Sequence, residues 1–166
     1  MRRPRLLTVV AGLAVVLLVG AVLSMVRWHR AENDPDLATA NARDLVLVKA
    51  QAAAVQLSTL DYRDPTAGQA SWKRVATGDL YTSLVDGRSS YQQLVTAGKV
   101  TTAAMVTEAA VQSLGDHDRS AGVLVGLDVT VTPEEGQASV QHERLVMTMV
   151  RAAGIWKASA MQPVTS

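Results

Sequence analysis

A membrane-tethered α+β domain is the architecture that this chain's apolar pattern calls for. Three observations carry that expectation. Residues 6–26 run without a charge between Arg2, Arg3 and Arg5 on one side and Arg27 and Arg30 on the other. Residues from about 33 to 97 then repeat their apolar side chains at helical spacing, and from Lys99 onward the period falls to two. Helices followed by a meander of strands pack as helices on one face of an antiparallel sheet.

The charge-free run comes first. Its 21 residues, at about 1.5 Å rise each, make a helix of roughly 31 Å, close to the ~30 Å hydrocarbon core of a bilayer. Trp28 follows it, an amphipathic ring suited to the interface. The organisation expected is a basic cytoplasmic amino terminus at 1–5, a transmembrane anchor at 6–26, a juxtamembrane linker at 27–35 and an extracytoplasmic α+β domain at 36–163. A secretory signal peptide is the competing reading, with Val19-Gly20-Ala21 offering small residues for cleavage before Val22. Arg2-Arg3 also suggests a twin-arginine signal, but Arg5 stands where such a signal wants an apolar residue.

Charge orients the chain. Three arginines precede the apolar run and two follow it, which favours a cytoplasmic amino terminus in the cell membrane. In residues 31–166, eleven Lys/Arg against fifteen Asp/Glu leave a formal charge of −4. That balance excludes a cationic nucleic-acid surface, which needs clustered Lys/Arg to displace counterions. The absence of cysteine removes disulfides, thiol catalysis and cysteine-held metals together. About 135 residues bury an adequate core without such staples.

The helical half opens at Asn33-Asp34-Pro35-Asp36, where Asp34 can cap and Pro35 suits the first helical position. A long helix is expected from there to about Leu60. The turn Asp61-Tyr62-Arg63-Asp64-Pro65 ends it, with Pro65 as breaker. Two shorter helices fit residues 68–76 and 79–97, with Gly78 between them and Gly87 as an interruption of the second.

Four strands are expected in the second half. Thr102–Leu114 ends at the polar turn Gly115-Asp116-His117-Asp118. In Val123–Val131, the alternating valines and Leu127 mark a half-buried strand. Thr132-Pro133-Glu134-Glu135-Gly136 turns the chain. Ser139–Ala152 then sets Leu145, Met147 and Met149 on one face. Ala153-Gly154 leads into Ile155–Gln162, which carries Trp156.

The long helix bears two apolar stripes. Leu45, Val48, Ala52, Val55 and Thr59 form one at heptad-like spacing. Val46, Ala50, Ala53, Leu57 and Leu60 form a second, rotated by roughly 140° at ~100° per residue. One stripe must face the sheet, and periodicity does not say which. The second, Val46, Ala50, Ala53, Leu57 and Leu60, is the candidate partner contact; alternatively the shorter helices cover it.

Reactive chemistry is sparse. His29 lies beside arginines at the interface, His117 sits in an acidic turn, and His142 opens a strand beside Glu143. None has metal-ligand spacing, and no His-Glu-x-x-His, Walker or Gly-x-Ser-x-Gly pattern occurs. No cofactor, metal or catalytic residue is expected. An isomerase-like site would have to use Asp61, Tyr62 and Asp128. Asp61 and Tyr62 read more simply as a helix-ending turn and its packing ring, and Asp128 alternates outward.

The segment Leu57-Ser58-Thr59-Leu60-Asp61-Tyr62-Arg63, followed by Ala76-Thr77-Gly78 with Leu80, resembles the Mce-associated membrane proteins (mammalian cell entry). Val106-Thr107-Glu108-Ala109 and Val123-Leu124-Val125 stand in the order that family has, so the likeness spans about residues 40–160. It implies a cystatin-like or nuclear transport factor 2-like cone. It also implies a single-pass accessory subunit of an Mce-type lipid importer, partnered by the importer's other proteins. The same cone is similar to assembly factors of type IV secretion systems, which leaves another envelope machine as the alternative. An apolar ligand bound in the cone is a third possibility.

Overall fold

A computed structural model describes residues 35–115 and 119–164. The expected anchor at 6–26, its flanking arginines, His29, the cap Asp34, and His117 with its acidic neighbours all lie outside the described residues. Among the described residues no helix is long and apolar enough to cross a membrane. From Asn41 onward the chain forms one compact unit.

The elements run α1 (Pro35–Ser58), β1 (Leu60–Asp61), α2 (Pro65–Val75), α3 (Gly78–Asp86), α4 (Arg88–Gly98), β2 (Val100–Leu114), β3 (Ser120–Pro133), β4 (Ser139–Ala152) and β5 (Ile155–Pro163). The five strands form one antiparallel sheet in the order β1-β2-β3-β4-β5. The α+β class and the four long strands follow the sequence reading. The fifth strand does not: β1 is two residues long and pairs Leu60 with Thr102 and Asp61 with Thr101. A pair that short carries no period; it exists because β2 offers it an edge.

Two helical boundaries also differ from expectation. Pro65 opens α2 as well as ending what precedes it, because the Asp64 carboxylate accepts from Ala67 N at 3.0 Å and from Thr66 Oγ1 at 2.7 Å. Those bonds, the Thr66 hydroxyl first, hold the Asp64 carboxyl below its ordinary value. Gly87 divides the third expected helix into α3 and α4, so three short helices replace two. Ala153 and Gly154, both at positive φ (49° and 81°), form the two-residue turn between β4 and β5.

The core lies between α1 and one sheet face. Val46, Ala50, Ala53 and Ala54 of α1 cluster with Val123, Val125, Leu127 and Val129 of β3, Leu145, Met147 and Met149 of β4, and Trp156 and Ala158 of β5. This corrects the assignment of the helix stripes. Val46, Ala50 and Ala53 are at most 1% exposed, and Leu57 is half-buried against the same cluster. Leu60 is half-buried within β1. The reason is volume: the sheet presents Leu127, Met147, Met149 and Trp156, and only a stripe of small residues lets the helix approach them. The other stripe points away, with Leu45 at 44% and Val48 at 59% exposure.

The short helices pin the open edge of β5. Thr77 N donates to Ala158 O at 2.9 Å beside a parallel bridge between Ala76 and Ala158, and Lys157 Nζ donates to Lys73 O at 2.7 Å. Trp72 of α2 packs edge-on against Tyr91 of α4, ring centres 5.1 Å apart. Burial in that contact pushes the Tyr91 phenol above its ordinary pKa.

Candidate functional site

Three surfaces remain once the core is assigned. The first is the outward stripe of α1, where Leu45, Val48 and Ala52 are exposed and Val55 is half-buried. Val55 packs partly against the core cluster, and Leu45, Val48 and Ala52 stay open.

The second is the sheet face opposite α1. Along β3 every second residue points there: Gly122, Leu124, Gly126, Asp128 and Thr130. Gly126 pairs with Glu108 on β2 and Arg144 on β4. A strand glycine between two long charged side chains leaves a dip. A Cβ at Gly126 would stand 2.7 Å from Glu108 Cγ and 3.0 Å from Thr107 Oγ1, so the Glu108 side chain lies over it. A groove of about 390 Å³ runs past Glu108, Ala110, Leu124, Gly126, Arg144 and Val164, and a more polar one of about 480 Å³ continues to Asp128, His142 and Glu143. His142 Nδ1 lies 2.6 Å from Asp128 Oδ1, so its partner is across the strands and not the adjacent Glu143. The sequence reading missed this groove; the signal was a glycine inside an otherwise branched strand.

The third is a polar clasp. Tyr62 Oη donates to Glu134 Oε1 at 3.1 Å, Lys99 Nζ donates to Glu134 Oε2, and the Arg63 guanidinium stands 5.2 Å from the centre of the Tyr62 ring. The Lys99 ammonium, then the Tyr62 hydroxyl, hold the Glu134 carboxyl below its ordinary value, and Glu134 in turn raises Lys99. The clasp ties the β1 turn, the end of α4 and the β3–β4 turn together.

The residues considered for catalysis do not converge. Asp61 accepts from Arg63 N at 2.9 Å within its own turn, Tyr62 belongs to the clasp, and Asp128 points outward on the opposite sheet face, as its alternation predicts. The His142 side chain is 80% exposed, so the imidazole of the Asp128–His142 pair lies open to water while Asp128 is half-buried. Among the described residues no cluster of three or more His, Asp or Glu is placed to hold a metal. The arrangement offers surfaces for contact, with no enclosed reacting centre at these residues.

No protein-family model matches the chain, and no curated protein matches it by sequence. Solved structures do share its fold. The periplasmic domain of DotI superposes with a TM-score of 0.61 at 16% identity, over 73% of this chain and 94% of its own. An IcmL-like type IV secretion system protein of Legionella pneumophila gives 0.60 at 17%, over 75% and 94%. CagV, a VirB8 homologue of the Helicobacter pylori type IV secretion system, gives 0.52 at 10%, over 74% and 98%. At these identities the likeness is one of fold.

Proposed function

We propose that this chain is a structural and assembly subunit of a multiprotein machine in the cell envelope. In this reading residues 6–26 anchor it once in the cell membrane, and its α+β domain works outside the cytoplasm without catalysing a reaction. The observation that carries the reading is the near-complete coverage of secretion-system proteins by this fold: 94% of the DotI periplasmic domain and 98% of CagV. Exposed apolar residues on α1 and an Asp128–His142 pair whose imidazole is exposed fit a contact role better than a reaction.

A type IV secretion apparatus is the first candidate for that assembly. An Mce-type lipid importer is the second, favoured by the Leu57–Arg63 and Ala76–Gly78 segments that resemble Mce-associated proteins. Affinity purification of the tagged full-length chain from its native membranes in mild detergent, with quantitative mass spectrometry, tests both. Stoichiometric secretion-channel subunits support the first assignment. Stoichiometric importer subunits transfer the function to lipid uptake. A chain recovered without any stoichiometric envelope partner overturns the assembly role.

A further inference from the structure

We infer that the outward stripe of α1 is a parallel self-pairing seam, whose partner is the same helix of a second copy of this chain. The inference goes beyond the proposed function, since it holds whichever machine the domain serves. Written as heptads, the exposed Leu45 and Ala52 take position a, and Val48 takes d, preceded by the exposed Asn41 at d. Val55, at the following d, packs partly against the core cluster, so the open seam runs from Asn41 to Ala52. The core-facing Val46, Ala50 and Ala53 fall at b and f, on the far side of the helix. The seam is therefore free to pair while the domain stays folded.

The flanking charges choose the partner and its direction. Asp44 occupies g and Lys49 occupies the following e, both exposed, and neither makes an ion pair among the described residues. In a parallel, in-register pair, g of one helix faces the e five residues further along the other. Asp44 of each copy then meets Lys49 of its mate, twice by the two-fold axis. The next g and e positions, Gln51 and Gln56, are neutral, and Gln56 turns its Oε1 into the domain, so they add no charge to the choice. An antiparallel pair would set g against g and e against e, so Asp44 of one copy would not meet Lys49 of the other. The helix thus carries its own complement only in the parallel arrangement. The seam is short, and a stable interface usually buries about 1,000 Å² or more, so the pairing is weak in dilute solution.

The chain has no cysteine, so single substitutions report the contact without background. Leu45→Cys, Val48→Cys and Ala52→Cys are introduced separately into the full-length chain in its native membranes and treated with a short bis-maleimide. Arg43→Cys, off the seam at f, is the control. The expected result is a cross-linked species of twice the chain mass at all three seam positions and not at Arg43. Adding Asp44→Lys to Val48→Cys should weaken the association roughly tenfold, and adding Lys49→Asp as well should restore it. Equal yield at Arg43, cross-linking at only one seam position, a product of another mass, or no product overturns the inference. So does a yield that ignores Asp44→Lys or fails to recover in the charge-swapped chain. Unchanged circular dichroism of each variant shows that the reading is of contact and not of folding.

Discussion

Replacing Ala50 by Glu should strongly destabilise the domain, whereas replacing Val48 by Glu on the same helix should leave its stability almost unchanged. Ala50 is fully buried among Val46, Ala53 and the β4 methionines. The substitution adds a four-atom extension to a packed site, at about 1–3 kcal/mol for overpacking. It also buries a carboxylate with no cationic partner, at several kcal/mol more. A loss of about 5 kcal/mol is a third or more of the roughly 5–15 kcal/mol that a domain of this size holds. Val48 is 59% exposed, so its replacement should stay within about 0.5 kcal/mol. Urea unfolding of the full chain in mild detergent can follow both variants, because Trp72 and Trp156 are 4% and 3% exposed and report on core packing. With a slope of about 2 kcal/mol/M, Ala50→Glu should lower the midpoint by about 2.5 M, and Val48→Glu by about 0.3 M or less. Equal shifts, or a larger one for Val48→Glu, would refute the assignment of the helix faces.

Three further outcomes follow from the same structure. Met147→Ala, at a fully buried position facing Val123 and Met161 across the strands, should cost about 2–5 kcal/mol with an unchanged urea slope. Ala153→Asn places an Asn-Gly pair where both turn residues have positive φ, and should stabilise by about 0.5–1 kcal/mol, read as a rise of a few degrees in Tm. Glu134→Gln removes a carboxylate whose folded pKa is lowered from 4.5, so the stability it loses is present above 4.5 and vanishes as pH falls through the lower folded value. Its partner Lys99 is raised from 10.5, so the pair's contribution holds below 10.5 and is lost as pH rises through the higher folded value. Melts of the wild-type and Glu134→Gln chains should therefore differ slightly near pH 7 and converge in high salt and once the pH has fallen below the lowered folded value.

The elements that were legible in the sequence are those whose period is long enough to read. Ser139–Ala152 ends where expected, because Leu145, Met147 and Met149 alternate with Val146 and Thr148 and all need one face. β1 was not legible, since two residues show no alternation and its pairing is set by β2. The face of α1 was not legible either: with apolar residues on both stripes the helix has no preferred side. The sheet decides, by offering large side chains that only the alanine stripe can approach. The groove at Gly126 needed the strand register, because Glu108 and Arg144 become its neighbours only when β2 and β4 are aligned on β3.

The residues that carry the likeness to Mce-associated proteins have structural duties. Tyr62 closes the clasp on Glu134, Asp61 shapes its turn and pairs with Thr101, and Ala76 and Thr77 fasten the short helices to Ala158. Losing any of them loosens a helix from the sheet, so a fold used by several machines would retain such pins in each. They therefore argue for the architecture more strongly than for the importer. What a partner can read is elsewhere: Leu45 and Val48 on α1, with Asp44 and Lys49 beside them, and the Glu108–Gly126–Arg144 groove on the opposite sheet face. Except for Gly126, where a Cβ would meet Glu108 Cγ at 2.7 Å, these positions can change without disturbing the core beneath them. A search for the machine this domain serves should therefore begin by substituting them, and leave the pins in place so that loss of assembly is not mistaken for loss of fold.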